Sequence, residues 1–208
     1  MKIPEKTISR LSIYYRQLQF LSQQGTFSIS SKSFSELVGF KPEQVRKDLS
    51  YFGSFGKTGF GYNVQGLKLE IAKILGLERS KNVAIIGMGN LGAALAGYRG
   101  FEAQGFKITS LFDNSPHKIG KKYKGKICRD VSDFARIAKE EEVEMAILTV
   151  PAEALQEAAQ IVVAAGIRGI LNFAPVHLKV PKNVKVNNVD LASELKSLSF
   201  FVSGTKRD

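Results

Sequence analysis

Apolar positions along this chain follow two rhythms. In the first third they recur every three or four residues, the spacing of a helix face. Residues 7–24, TISRLSIYYRQLQFLSQQ, set Ile8, Leu11, Tyr15, Leu18 and Leu21 on one side, with Tyr14 and Phe20 broadening it and Arg16 lying off the stripe. Pro4 opens this helix and Gly25 closes it. Residues 30–38 read as a second helix, with Ser33 and Glu36 at capping-box spacing and Gly39 at the end. Residues 42–52, PEQVRKDLSYF, make a third: Pro42 suits a first turn, Val45, Leu49 and Phe52 face inward, and Gln44, Arg46, Lys47 and Ser50 face outward. Residues 53–62, GSFGKTGFGY, place four glycines among alternating aromatics and predict a β-hairpin carrying Lys57. Residues 63–76 return to helical spacing through Leu67, Ile71, Ile74 and Leu75.

Beyond the polar stretch at 78–81 the rhythm changes. Short uncharged runs at 82–86, 108–112, 145–150 and 170–173 predict buried strands, and 184–189 reads as a further strand. Helical patterns at 131–142 and 151–165 alternate with them, which implies a mostly parallel sheet covered on both faces. The lysine-rich residues 115–127 read as a loop. The last element, 191–202, carries Leu191, Leu195, Leu198, Phe201 and Val202 as one stripe beyond the final strand. That stripe packs either on its own sheet or on a second copy of the chain, as in an exchanged helix.

The run NVAIIGMGNLG at 82–92 carries G-x-G-x-x-G directly after a strand and before the helical residues Leu91, Ala94, Leu95 and Tyr98. Gly87 suits the tight turn, Gly89 lets backbone approach a pyrophosphate, and Gly92 lets helix pack on sheet. Met88, Asn90 and Leu91 complete that turn, whose N–H groups and helix dipole favour phosphate. Asp113 ends the next strand and could accept from both ribose hydroxyls while repelling a 2′-phosphate, favouring NAD(H) over NADP(H). Val150 and Pro151, at another strand end, could press on the ring systems. This is the context of a Rossmann-type dinucleotide site; a CoA or FAD fragment is the alternative ligand.

Two short helices around Gly39 form a helix-turn-helix pattern, whose second member would be the recognition helix. Arg46 suits guanine edges, Lys47 and Ser50 suit phosphate, and Gln44 suits adenine. The hairpin after it would be a wing placing Lys57 on a minor groove or phosphate. The architecture expected is thus an N-terminal winged helix (1–78), a Rossmann parallel-sheet domain (79–190), and a C-terminal dimerisation helix and tail (191–208).

Composition changes this picture little. The 208 residues are 44% hydrophobic with a formal net charge of +11, pointing loosely to a polyanionic partner. The excess is spread along the chain: residues 1–78 hold 11 basic and 6 acidic side chains. No apolar run approaches the roughly 20 residues of a membrane span. The N-terminus lacks a signal-peptide core, so a cytoplasmic location is expected. Cys128 is the lone cysteine, which rules out an internal disulfide and fits a reduced compartment; it is either a redox thiol or structural. Zinc-ligand, paired-carboxylate and nucleophile-elbow patterns are missing, so neither a metal site nor catalytic residues are expected. His117 lies in the polar loop and His177 near a strand end is the one candidate general acid/base. The enzyme alternative is a small NAD-dependent oxidoreductase with a helical dimerisation arm.

The segments YYRQL (14–18), VRKDLSYFGSFGKTGFGY (45–62), IIGMGNLGAALAGY (85–98), LFD (111–113) and NVDLASELKSLSFFV (188–202) together resemble the Rex family of redox-sensing transcriptional repressors. The resemblance implies a bacterial homodimer that binds an inverted-repeat operator, is released by NADH, and is permitted to bind by NAD+. It implies a C-terminal helix exchanged between subunits and DNA contacts from Arg46, Lys47 and Lys57. It also implies a switch formed by Arg16, Tyr98 and Asp190, in which Asp190 pairs with Arg16 in one state and with Tyr98 in the other.

Overall fold

A computed structural model describes residues 3–55 and 61–203. The chain divides into two compact units, 1–79 and 80–208. The first unit packs four helices around one core: α1 (Glu5–Gln23), α2 (Ser31–Val38), α3 (Pro42–Ser50) and α4 (Val64–Ile74). Leu11, Tyr14 and Leu18 of α1 meet Phe34, Val45, Leu49, Leu67 and Ile71, all buried. Tyr14 lies edge-on to Phe34 at 5.7 Å, and Phe34 lies edge-on to Tyr62 at 5.7 Å.

Three local details differ from the sequence expectation. The buried stripe of α1 runs Thr7, Leu11, Tyr14 and Leu18, whereas Ile8 is exposed. The cap of α2 is Ser30, whose hydroxyl accepts from the Ser33 N–H at 3.0 Å; Ser33 is therefore the third helical residue, not the cap. Among the described residues, the end of the segment expected as a hairpin enters β2 (Tyr62–Asn63), which pairs antiparallel with β1 (Ser28–Ile29), a strand the sequence pattern does not predict. Gly61 makes that pairing possible: its φ is +73°, and a Cβ there would collide with the Ile29 carbonyl. The hairpin tip with Lys57 lies outside the described residues.

The second unit is a seven-stranded sheet ordered β5-β6-β4-β3-β7-β8-β9. Its strands are β3 (Lys81–Ile86), β4 (Phe106–Asp113), β5 (Lys122–Tyr123), β6 (Lys126–Asp130), β7 (Met145–Leu148), β8 (Gly169–Asn172) and β9 (Lys185–Asn188). All neighbours pair parallel except β5 with β6. Taken in chain order, the parallel strands lie 3-2-1-4-5-6, the doubly wound nucleotide-binding arrangement. The residues expected as a loop at 115–127 hold β5 and the start of β6, an antiparallel edge pair.

Alternation along β3 splits the core. Ala84 and Ile86 face Phe112, Phe134, Leu148, Leu155 and Val162, under α7 (Phe134–Glu140) and α8 (Leu155–Ala164). Val83 and Ile85 face Met88, Ile108, Leu111 and Cys128, under α5 (Asn90–Ala96) and α6 (Arg99–Ala103). The last helix, α9 (Leu191–Val202), buries none of its residues; Leu195 is 67% exposed and Phe201 75%. Among the described residues no helix is long and apolar enough to cross a membrane.

Candidate cofactor cleft and DNA-reading face

A cleft of about 530 Å³ opens at the carboxyl ends of the central strands, within the size range of small-molecule sites. Gly87, Gly89, Leu91, Asp113, Val150 and Pro151 line it. Three other residues singled out in the turn do not. Met88 is buried below it, Asn90 points to solvent at the start of α5, and Gly92 is buried against the strand.

The glycines divide their work as their positions demand. Gly87 has φ +99°, and a Cβ there would come within 2.8 Å of the Thr149 carbonyl carbon. Gly92 would drive a Cβ into the Gly87 carbonyl oxygen. Gly87 lets the turn pass close to the chain just beyond β7, and Gly92 lets α5 sit close against the turn. Gly89 has open space where its Cβ would be, so backbone there is free to approach a ligand. Thr149 pins the turn by donating to the Gly87 carbonyl at 2.7 Å.

Asp113 is buried and already engaged. Its Oδ2 accepts from the Met88 N–H at 2.6 Å and from Lys118 Nζ at 2.9 Å; its Oδ1 accepts from the Ser115 N–H at 2.9 Å. A carboxylate offers about four acceptor positions, so one remains, on Oδ1. Burial pushes this carboxyl up, but Lys118 and the two N–H groups outweigh burial and hold it below the usual range. Lys118 belongs to the lysine-rich segment and was legible only as one lysine among five. Asn114, Ser115, Lys118, Thr149 and Phe173 line the cleft without having been singled out as binding residues. Asn172 shapes its far wall: its side chain accepts from the Ala174 N–H at 2.9 Å and donates to the Ala174 and Val176 carbonyls at 3.0 and 3.2 Å.

A redox thiol and a catalytic histidine both fail on placement. Cys128 is fully buried in β6, and burial together with the Asp113 charge pushes its thiol up to about 11. His177 and His117 are exposed, and neither lines the cleft.

In the first unit α3 exposes Arg46, Lys47 and Ser50 side by side. Among the described residues Arg46 makes an exposed i,i+3 contact with Glu43 at 3.2 Å, and the Ser50 hydroxyl donates back to the Lys47 carbonyl at 2.8 Å. Gln44 departs from expectation: it is half-buried, and its Nε2 donates to Asp48 at 3.0 Å. Arg16 is exposed on α1. Tyr98 caps α6 from outside, edge-on to Phe101 at 5.1 Å, and Asp190 caps α9 by accepting from the Ser193 N–H at 3.0 Å.

Fold and site together define a two-part regulator, a winged-helix DNA-binding module followed in one chain by a Rossmann nucleotide-binding module. Two family descriptions fit those parts: "Putative DNA-binding protein N-terminus" over residues 2–50 and "CoA binding domain" over 78–176. The redox-sensing transcriptional repressor Rex of Desulfitobacterium hafniense is 49% identical over 207 residues, spanning 100% of this chain and 98% of that protein. Rex of Thermus thermophilus is also 49% identical, over 99% and 97% of the two chains. Among solved structures, RSP with NAD+ and operator DNA matches at TM-score 0.91 and 38% identity, over 98% of this chain and 94% of that one. RSP with NADH matches at TM-score 0.86 and 36% identity, over 98% and 95%. The chain belongs to the Rex family of redox-sensing transcriptional repressors, and is a repressor rather than an oxidoreductase.

Proposed function

We propose that this chain represses transcription by binding operator DNA as a homodimer and releases it when NADH displaces NAD+. The observation carrying this reading is the near-complete overlay, at TM-score 0.91, on a relative crystallised with NAD+ and operator DNA. Arg46, Lys47, Ser50 and Lys57 contact the operator, Arg46 at base edges and the others chiefly at phosphate.

The residues in the cleft fit a dinucleotide. Gly89 leaves room for a diphosphate, the free position on Asp113 Oδ1 accepts one ribose hydroxyl, and Val150, Pro151, Phe173 and Ala174 supply an apolar wall. The oxidised nicotinamide ring carries a positive charge that the reduced ring lacks. An apolar, water-poor wall therefore favours the reduced form. That difference in affinity is what allows the cofactor to bias a conformational equilibrium. Arg16, Tyr98 and Asp190 form the element it biases. The Asp190 carboxylate accepts from Arg16 in one state and from the Tyr98 hydroxyl in the other.

Two copies match the two halves of an inverted repeat, and the exposed stripe of α9 supplies an apolar surface for joining them. The test is a binding titration on the inverted-repeat duplex that the unmodified chain selects from a randomised pool. The duplex should bind tightly with NAD+ and be released as the NADH/NAD+ ratio rises. Binding indifferent to saturating NADH refutes the proposal.

A further inference from the structure

Five hydrogen bonds converge on the one buried carboxylate described in the first unit. Asp48 of α3 has no exposed surface. Its Oδ1 accepts from Thr7 at 3.1 Å, from Arg10 Nη2 at 2.6 Å and from Gln44 at 3.0 Å. Its Oδ2 accepts from Arg10 Nε at 2.5 Å and from the Tyr14 hydroxyl at 2.9 Å. Thr7, Arg10 and Tyr14 form one stripe along α1, and Gln44 lies one turn before Asp48 on α3. Arg10 also lies over the Phe40 ring at 5.9 Å, in the turn between α2 and α3.

An apolar contact would hold α1 against α3 at least as strongly. Buried ion pairs are weak stabilisers once desolvation is counted, and their best-attested use is to fix register. Directional bonds restrain what an apolar contact leaves soft, the roll of a helix about its own axis. Arg46 and Lys47 immediately precede Asp48 and are exposed, about 160° and 100° round the helix from it, so roll sets their aim. With side chains reaching about 5–6 Å from the axis, a roll of about 20° moves their tips by roughly 2 Å. Productive geometry tolerates about 0.5 Å.

We propose that Asp48 is the positioning residue of the DNA-reading helix. By drawing Thr7, Arg10 and Tyr14 of α1 and Gln44 of α3 onto one carboxylate, it fixes the roll of α3 and hence the aim of Arg46 and Lys47. Gln44 then serves the helix rather than a base. This inference rests on the reading of α3 as the recognition helix.

The experiment uses the full chain and two duplexes, the selected inverted repeat and a scrambled duplex of equal length. Tyr14→Phe removes one bond without stranding a charge, and Asp48→Asn removes the carboxylate. Arg46→Ala is the control. Each variant is measured well below its thermal midpoint, with NADH binding followed in parallel. The proposal expects operator affinity to fall about tenfold for Asp48→Asn and several-fold for Tyr14→Phe. Affinity for the scrambled duplex at low salt should stay within about twofold, because Arg46 and Lys47 retain their charges. NADH binding should be unchanged. A structural role alone would lower the midpoint and leave the ratio of the two affinities as in the parent; that result overturns the proposal. If Asp48→Asn does not fold, Tyr14→Phe decides. If Arg46→Ala also binds the operator as the parent does, the recognition-helix reading itself fails. If Arg46→Ala loses the operator while folded Tyr14→Phe and Asp48→Asn keep it, only the positioning role fails.

Discussion

Lys118 alters what Asp113 can do in the cleft. A bare carboxylate at the second strand's end would repel a 2′-phosphate, but the ammonium 2.9 Å away offsets that charge. We expect Lys118→Ala to sharpen selection for NADH over NADPH, read as the ratio of the two dissociation constants by fluorescence titration. A ratio that stays constant or narrows would show that Lys118 does not temper the carboxylate. A second consequence concerns Asp48. Burial pushes its carboxyl up, yet hydrogen bonds from Arg10, Tyr14 and Thr7 and the Arg10 charge more than offset this and hold it below its ordinary 3.8. A carboxyl depressed in the folded state stabilises it in full above the unfolded value and loses that contribution as pH falls through the folded one. The thermal midpoint of the winged-helix unit should therefore stay level from about pH 7 to 5 and fall below about pH 4. In Asp48→Asn that acid-side fall should be shallower, and an unchanged slope would assign it to other carboxylates.

At the scale of elements, α9 is the clearest anomaly. Leu191, Leu195, Leu198 and Val202 repeat at helical spacing, and all are more than half exposed. Such a stripe needs a partner surface. Replacing Leu195 and Leu198 together by glutamate should convert a two-chain particle to a single chain in light scattering at micromolar concentration and weaken operator binding with it. A mass of two chains after both changes would place the dimer contact elsewhere. Legibility in the sequence also varied by element. The glycine turn and its strands were plain because each step carries its own signal: an unbroken uncharged run through Asn82–Ile86 of β3, spacing at Gly87, Gly89 and Gly92, an acid closing β4. Helix α3 was plain from Pro42 onward. The pairs β1–β2 and β5–β6 were not, since the two-residue strands β1, β2 and β5 show no alternation and the second pair is lysine-rich and partly exposed. The face of α1 was read correctly at Leu11 and Leu18, but Ile8 and Tyr15 were placed at its centre where Thr7 and Tyr14 lie, for a specific reason. Thr7 and Tyr14 turn inward because their hydroxyls reach Asp48, across 41 and 34 residues of sequence. A pattern of apolar positions carries no information about a polar partner so distant. The same contact took Gln44 away from the role its outward position suggested, and no local signal marked Lys118 as the lysine that meets Asp113.

For the molecule as a whole, the net charge of +11 is shared between both units, so long-range attraction to DNA does not separate the reader from the sensor. Communication between them must instead appear as a coupling free energy, and such an energy is reciprocal. If NADH in place of NAD+ weakens operator affinity by some factor, saturating operator must shift the preference between NADH and NAD+ by the same factor. Coupling energies of about 1–3 kcal/mol are typical, corresponding to roughly 5–150-fold. The prediction is therefore double. Operator affinity measured at saturating NADH and at saturating NAD+ should differ within that range. The ratio of NADH to NAD+ dissociation constants, measured with and without the operator duplex at one salt concentration, should change by an equal factor in favour of NAD+. A scrambled duplex should leave that ratio unchanged. Agreement between the two factors would show that one equilibrium links both sites. Operator release without the matching shift in the cofactor preference of the cleft would mean that NADH acts at a second site, and the cleft would not be the sensor.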